Sequence, residues 1–280
     1  MTLEASLRPR GPYSLALTAR RAGDATRRFH DGVLDAALPT SSGIERVRAW
    51  QRPDGTVCIR AASAEGLERM RFTLALDDDH TPFLRRCEHD PLLRETARRM
   101  RGLRQIRVST VTHALLRALC GQLITARQAR LIEGRVLKSV TGGEPPSAAA
   151  FGAVAPARLR SLGLHSRRAA SLVRLCRELD LERLRAQPTQ AVESRLLRER
   201  GLGPWSVGVV CLEGLGRSEC GLVGDLGLIK LLSALRGGWV EGAETAELLA
   251  PYEEWAGLAS VYLLAGFGKG LVPVPRTQAA

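Results

Sequence analysis

Apolar and polar side chains alternate from Tyr13 to Thr18, with Tyr13, Leu15 and Leu17 on one side and Ser14, Ala16 and Thr18 on the other. A two-residue period is that of a half-buried strand and predicts one here. Val47 and Ala49 alternate with Arg46, Arg48 and Trp50, and Val57, Ile59 and Ala61 form a second alternating run beyond Pro53-Asp54-Gly55. Pro presets φ and Gly supplies a positive one, so this tripeptide predicts a hairpin. Ala64 to Leu76 reads as helix, with Leu67, Met70 and Leu74 on one face. From Asp90-Pro91 onward the period becomes 3.6. Val111, Leu115 and Leu119 form one stripe, with His113 and Arg117 off it; Ile124, Ala129, Ile132, Val136 and Val140 form a second; Leu172, Val173, Cys176 and Leu179 form a third. Breaks at Gly142 to Pro146 and at Pro188 separate these segments. The pattern predicts an α+β chain: a small antiparallel sheet domain with helix over 1–90, an all-helical domain over 91–272, and a disordered tail over 273–280.

Composition narrows the classes. The 280 residues are 45% hydrophobic and 25% charged, enough apolar matter for a core and unlike a disordered chain. The longest weakly polar stretch, Ala256 to Gly268, stops at Lys269, whereas a membrane span needs about 20 residues. Glu4 and the brevity of the apolar run Leu15 to Leu17 give no expectation of a secretory signal. The six cysteines, 58, 87, 120, 176, 211 and 220, form no C-x-x-C; they read as reduced, buried thiols in a cytosolic protein, with no zinc site and no iron–sulfur loop. The net charge of +12 favours a polyanionic partner, nucleic acid before others. All but three of the 41 basic residues (Lys138, Lys230 and Lys269) are arginine. A GC-rich genome explains that preference but not the size of the excess.

The chemistry concentrates between Ala191 and Lys230. A helix bearing Val192, Leu196 and Leu197 ends at Arg200-Gly201, and Gly203-Pro204-Trp205 opens another that runs through Val207, Val210, Cys211 and Leu215. Glycine closing one helix and proline at the first position of the next spell a helix–turn–helix. Two glycines let the backbone approach an anion, and free N–H groups at the second helix's start can hold a phosphate without reading a base. Gly-x-Gly alone is weak, because it recurs at Gly214, Gly266 and Gly268, and an ordinary αα-hairpin is the plainer reading. A second feature follows it. Gly221 to Lys230 is apolar except for one acid, Asp225, at the predicted start of the next helix. An N-cap aspartate is common; a carboxylate fixed by backbone N–H groups is also ionised and directed.

Leu202-Gly203-Pro204-Trp205-Ser206, followed by Val223-Gly224-Asp225 and Leu228-Ile229-Lys230, resembles the helix–hairpin–helix DNA glycosylase superfamily, and within it the 3-methyladenine DNA glycosylase II type. Leu119-Cys120-Gly121-Gln122-Leu123-Ile124 is similar to the family segment that enters the DNA stack, and Glu254-Trp255-Ala256-Gly257-Leu258-Ala259 to a downstream family element. The resemblance implies a small sheet domain ahead of a helical helix–hairpin–helix core. It implies Asp225 as the catalytic carboxylate, Leu123 as the wedge that fills the gap left by an extruded nucleotide, and Gln122 beside it. The DNA contacts would be Gln122, Leu123, Gly201, Leu202, Gly203, Trp205 and Ser206. The base pocket would be Trp205, Leu226 and Leu264. No cofactor is implied, and no metal beyond a monovalent cation on hairpin carbonyls.

Bifunctional members of the superfamily carry a lysine just after the second hairpin glycine. This chain has Trp205 in that region, so no Schiff base or lyase step is expected. The implied protein is a monofunctional base-excision-repair hydrolase, acting as a monomer on double-stranded DNA with damaged bases, in the cytoplasm and with the nucleoid in a bacterium. Leu226 and Leu264 stand where relatives often have aromatics, and Ala256-Gly257 where Arg-Ser is usual, so the pocket is expected to be more apolar. The rival reading is a non-catalytic damaged-DNA-binding protein, for which Asp225 would have no use.

Overall fold

In the computed structural model, which describes residues 2–20 and 22–275, five strands form one antiparallel sheet in the order β1-β5-β4-β3-β2. They are β1 (Leu3–Leu7), β2 (Arg27–His30), β3 (Val33–Thr40), β4 (Gly43–Gln51) and β5 (Val57–Ala61). The hairpin at Pro53-Asp54-Gly55 is present, with Gly55 at φ 88° and Arg52 N–H donating to the Thr56 carbonyl at 2.8 Å. Fourteen α-helices are described. They are α1 (Leu15–Ala19), α2 (Ala64–Thr73), α3 (Thr81–Cys87), α4 (Arg94–Arg99), α5 (Val111–Gly121), α6 (Ala126–Thr141), α7 (Ala148–Gly152), α8 (Pro156–Ser161), α9 (Ser166–Glu178), α10 (Thr189–Leu197), α11 (Pro204–Val209), α12 (Leu226–Arg236), α13 (Thr245–Leu249) and α14 (Ala256–Phe267). A π-helical segment, Val210–Leu215, continues α11.

The strand expected at Tyr13 to Thr18 is instead α1. Ser14 caps it, its Oγ accepting from Leu17 N–H at 3.3 Å. Five or six alternating residues cannot fix a period by themselves, and a serine N-cap decides for helix. Buried Leu15, Val47, Ala49, Ile59 and Met70 close the sheet's core. A second, larger core fills the helical part, where Val111, Leu115 and Leu119 are buried as expected. The two cores interleave near residue 90: Phe83 and Cys87 belong to the helical core, while Ile106 packs into the sheet's. Ile124 lies ahead of α6 rather than on its stripe. Of the expected tail, Val274 packs against the helical core; residues 276–280 lie outside the described residues.

His113 and Arg117 are not off the buried face of α5. His113 is fully buried, and together the two tie α5 to three other elements. Arg117 Nη2 donates to Asp24 Oδ2 at 2.7 Å and to Glu133 Oε1 at 2.8 Å, while Nη1 donates to Glu213 Oε2 at 2.7 Å. His113 Nε2 lies 2.7 Å from Glu133 Oε1, and Arg27 Nε lies 3.1 Å from Asp24 Oδ2. Burial raises the Glu133 carboxyl, but Arg117 and His113 outweigh it and hold it down at about 2. Asp24 is likewise held below the ordinary carboxylate range, burial being overcome by Arg27, His113 and Arg117. Asp24, His113 and Glu133 bring ligand-type atoms within 4.8 Å of one another. Between the two carboxylates, however, the positive charge is supplied by Arg117 itself.

Candidate active site

Three segments converge on Asp225. The first is the end of α5. Its C-terminal residue, Gly121, touches the Trp205 ring so closely that a Cβ there would come within 2.5 Å of Cη2. Gln122 then leaves the helix, and Nε2 donates to the Gly201 carbonyl and to Ser206 Oγ, both at 2.9 Å. Leu123 follows in the left-handed region, φ 56°, with 96% of its surface exposed. A branched, bulky residue rarely adopts that backbone, and an exposure this complete stands apart even from the other exposed leucines, of which Leu131 at 59% is next. Both happen here at one residue. Thr125 and Gln128 immediately cap α6 with a reciprocal pair of hydrogen bonds, so the chain on both sides of Leu123 is fixed.

The second segment is the hairpin. α10 runs out at Leu197, Gly201 turns the chain at φ 95°, and Gly203 is the N-cap of α11 with Pro204 in its first turn. No side chain caps α11, and Gly201, Gly203 and Pro204 are exposed. The amides of its first turn are thus open to an anion. Leu202 and Ser206, expected on the DNA-facing surface, are buried. Leu202 can offer only its backbone there. Ser206 turns inward because its hydroxyl is the acceptor that orients Gln122. Of the hairpin carbonyls, those of Glu199, Arg200 and Gly201 accept from Leu202 N, Arg174 and Gln122.

The third segment is the start of α12. Gly224 makes the turn at φ 85°, its N–H held by Thr245 Oγ1 at 2.8 Å. Asp225 is the N-cap, as its position predicts: Oδ1 accepts from Gly227 N–H at 2.8 Å. Oδ2 accepts from the Trp205 indole Nε1–H at 2.9 Å. Both carboxylate oxygens are therefore engaged, and both donors are neutral. Among the described residues no cation pairs with Asp225. Its negative charge is oriented but not cancelled, and Trp205 serves it as a hydrogen-bond donor as well as a ring wall.

No family model matches the chain. Its sequence is similar to DNA-3-methyladenine glycosylase from Bacillus subtilis (strain 168), 26% identical over 204 residues that cover 67% of each chain. Its structure is similar to that of the 3-methyladenine DNA-glycosylase from Archaeoglobus fulgidus, with a TM-score of 0.82 and 18% identity over 94% of this chain and 97% of that one. A further match is the Clostridium acetobutylicum 8-oxoguanine glycosylase/lyase in complex with DNA containing cytosine opposite 8-oxoG. There the TM-score is 0.75 with 14% identity, covering 97% of this chain and 99% of that one. The chain has the helix–hairpin–helix DNA glycosylase fold.

Within the glycosylase fold, the departures noted in the sequence have structural reasons. Gly257, in place of a serine, packs so tightly that a Cβ would meet the Cys220 carbonyl at 2.6 Å and that of Ser218 at 2.9 Å. Leu264 lies under the first turn of α12, where a Cβ on Gly227 would come within 2.4 Å of its Cδ2. Leu226 stands half exposed beside Asp225. The side of the site away from Trp205 is therefore aliphatic. Sequence reasoning misses Glu213, although the criterion that finds Asp225, a single acid in an apolar run, fits it between Val207 and Leu215. It also misses Gly121, whose lack of a side chain admits the Trp205 ring.

Proposed function

We propose that this chain is a monofunctional DNA glycosylase that flips out alkylated bases of the 3-methyladenine type and hydrolyses their N-glycosidic bonds. The observation that carries the reading is the Asp225 carboxylate, fixed by Trp205 and Gly227 and left without a counter-cation. As the C1′–N bond lengthens, its electron pair leaves with the base and the sugar becomes oxocarbenium-like. A fixed anion stabilises that charge. Opposite unit charges about 4 Å apart interact by roughly 4 kcal/mol at an effective dielectric near 20, about a thousandfold in rate. Water then adds at C1′, its proton passing to Asp225 or to solvent. A ring-alkylated purine is already cationic and departs neutral, so no separate acid is needed.

The wedge supports base flipping. Leu123, exposed on a backbone pinned by Gln122 and the α6 cap, is shaped to enter a stack and fill a vacated position, where unstacking costs a few kcal/mol. Similarity to proteins named for 3-methyladenine supports the alkylated-base class. The Clostridium relative is named a glycosylase/lyase, so lyase chemistry needs its own test. Trp205 stands in the sequence region where the resemblance places the lysine of bifunctional members, and Lys230 is exposed on α12 beyond Asp225. Duplex DNA treated with a methylating agent is the substrate to use, with freed bases analysed directly. Wild type is expected to release 3-methyladenine or 7-methylguanine, with no borohydride-trapped adduct. Asp225→Asn is expected to lose about a thousandfold in rate while still binding DNA. Excision retained by Asp225→Asn would refute the assignment.

A further inference from the structure

The hairpin, the wedge and Asp225 leave one strongly charged concavity unused. Register pairs place Glu4, Arg60, Arg48, Asp35 and Arg28 in a single row across β1, β5, β4, β3 and β2. Directly paired residues share a face of a sheet, and Arg46, two residues before Arg48, shares it too. Where the β2–β4 end of this face meets the last turns of α6, a groove of ≈ 490 Å³ opens, lined by Arg28, Asp35, Arg46, Arg48 and Lys138 with Asp24 and Arg27 behind them.

An outward sheet face is expected to be polar, but not unbalanced. Asp35 is taken by Arg48 at 2.6 Å. Asp24 and Arg27 pair at 3.1 Å within the network around Arg117, where Glu133 and Glu213 also answer that guanidinium, so they add no free charge to the groove. Arg27, almost wholly buried, also keeps one terminal nitrogen without an acceptor. Arg28, Arg46 and Lys138 are exposed and have no carboxylate partner among the described residues. Like charges converging in a concave wall repel one another and raise the local concentration of anions. No aromatic or large aliphatic side chain lines the groove, so it has nothing on which a base could stack. Guanidinium groups do match phosphate oxygens, by charge and by paired N–H donors.

We propose that this groove binds the phosphodiester backbone of duplex DNA, as a second contact apart from the hairpin. The inference rests on the glycosylase reading. Lys138 lies twelve residues beyond Ala126, so the groove stands about 18 Å along α6 from the wedge end of that helix. The contact therefore acts on binding and search, and leaves the chemistry at Asp225 alone.

The test is the salt dependence of binding to an undamaged 30-base-pair duplex, for wild type and for Arg28→Ala/Arg46→Ala/Lys138→Ala. A charge-matched control, Arg94→Ala/Arg101→Ala/Arg183→Ala, removes three exposed cations elsewhere. The slope of log affinity against log salt is expected to become shallower by about 2.7 for the groove variant, near 0.9 for each of three phosphates no longer neutralised. Its affinity near 0.1 M salt is expected to drop by tenfold or more, with single-turnover excision at saturating enzyme unchanged. A groove variant that matches wild type, or a control that weakens as much as the groove variant, overturns this inference alone. A wild type without affinity for DNA at low salt overturns the glycosylase reading and this inference with it.

Discussion

The protein fixes carboxylates at two places on α5's neighbours and treats them in opposite ways. Around Arg117, three carboxylates, two guanidinium groups and the His113 ring pair with one another, joining α5 and α6 to the π segment and to the loop ahead of β2. Around Asp225, a single carboxylate meets only an indole N–H and a backbone N–H. The first arrangement uses its electrostatics to hold elements together. The second fixes direction while leaving the field of the charge intact, and that field is what a developing cation can use. The two are also coupled in space, since α5 carries Arg117 at one turn and presents Gly121, Gln122 and Leu123 at its end. The closed network anchors the helix whose end reaches the open one.

Arg117→Met breaks the comparison at its most costly point. Removing the guanidinium leaves Glu133 and Asp24 buried with too little positive charge, and truncating one partner of a buried ion pair costs about 3–5 kcal/mol. Urea unfolding is expected to show that loss, alongside a weakened excision rate from a looser wedge. A variant as stable as wild type would mean that the network is hydrated rather than closed.

Acid probes the same contrast without a mutation. The Glu133 carboxyl is held at about 2 in the folded chain against an ordinary 4.5. The folded state then binds fewer protons than the unfolded one across that interval. The stabilisation is complete above pH 4.5 and is lost as pH falls toward 2. The amount at stake is on the order of 3 kcal/mol. Melting temperature is expected to fall steeply over this range, and Glu133→Gln is expected to start lower and fall less. Parallel curves would place the acid sensitivity elsewhere.

The elements legible in the sequence are those with local punctuation. Gly201, Gly203 and Pro204 mark the hairpin, Pro53-Asp54-Gly55 marks a turn, and Asp225 is alone among apolar residues before a helix. What cannot be read depends on partners far apart in the chain. Asp24, Arg117, Glu133 and Glu213 are distant in number and adjacent in space, and apart from Glu213, a single acid in an apolar run, nothing local distinguishes them from solvated charges. Periodicity misplaces His113 and Arg117 for this reason, because an apolar stripe shows which face is oily but not whether the other face is wet. The inward turn of the Ser206 side chain is hidden in the same way: its hydroxyl serves Gln122 across the cleft, and no spacing within the hairpin implies that.

Trp205→Phe sharpens the account of Asp225. The ring stays against Gly121, but Oδ2 loses its donor and the carboxylate keeps only Gly227 N–H. A hydrogen bond to a charged group is worth about 1.5–3 kcal/mol, so single-turnover excision is expected to slow by roughly ten- to a hundredfold. DNA affinity is expected to change little. An unchanged rate would show that the N-cap bond alone aims the carboxylate.

The smallest effect falls on Leu123 and separates stability from activity. A non-glycine residue in the left-handed region costs roughly 1–2 kcal/mol, and this one also exposes its apolar side chain. Leu123→Gly relieves the backbone but gains about 0.5–1 kcal/mol of entropy in the unfolded chain. The net is a stabilisation of about 0–1 kcal/mol. Leu123→Ala removes nearly the same side chain and keeps the strained φ, so it is expected to gain nothing. Both variants are expected to excise more slowly from duplex DNA, since neither can occupy the space of an extruded nucleotide. Both should recover on a lesion placed in a mismatch, where less stacking opposes extrusion. If Leu123→Gly matched wild type on paired DNA, the wedge role would fall, and the strain at Leu123 would have no function to account for it. A rise in stability together with a loss of excision is the outcome expected of a residue held in an unfavourable conformation for the sake of its ligand.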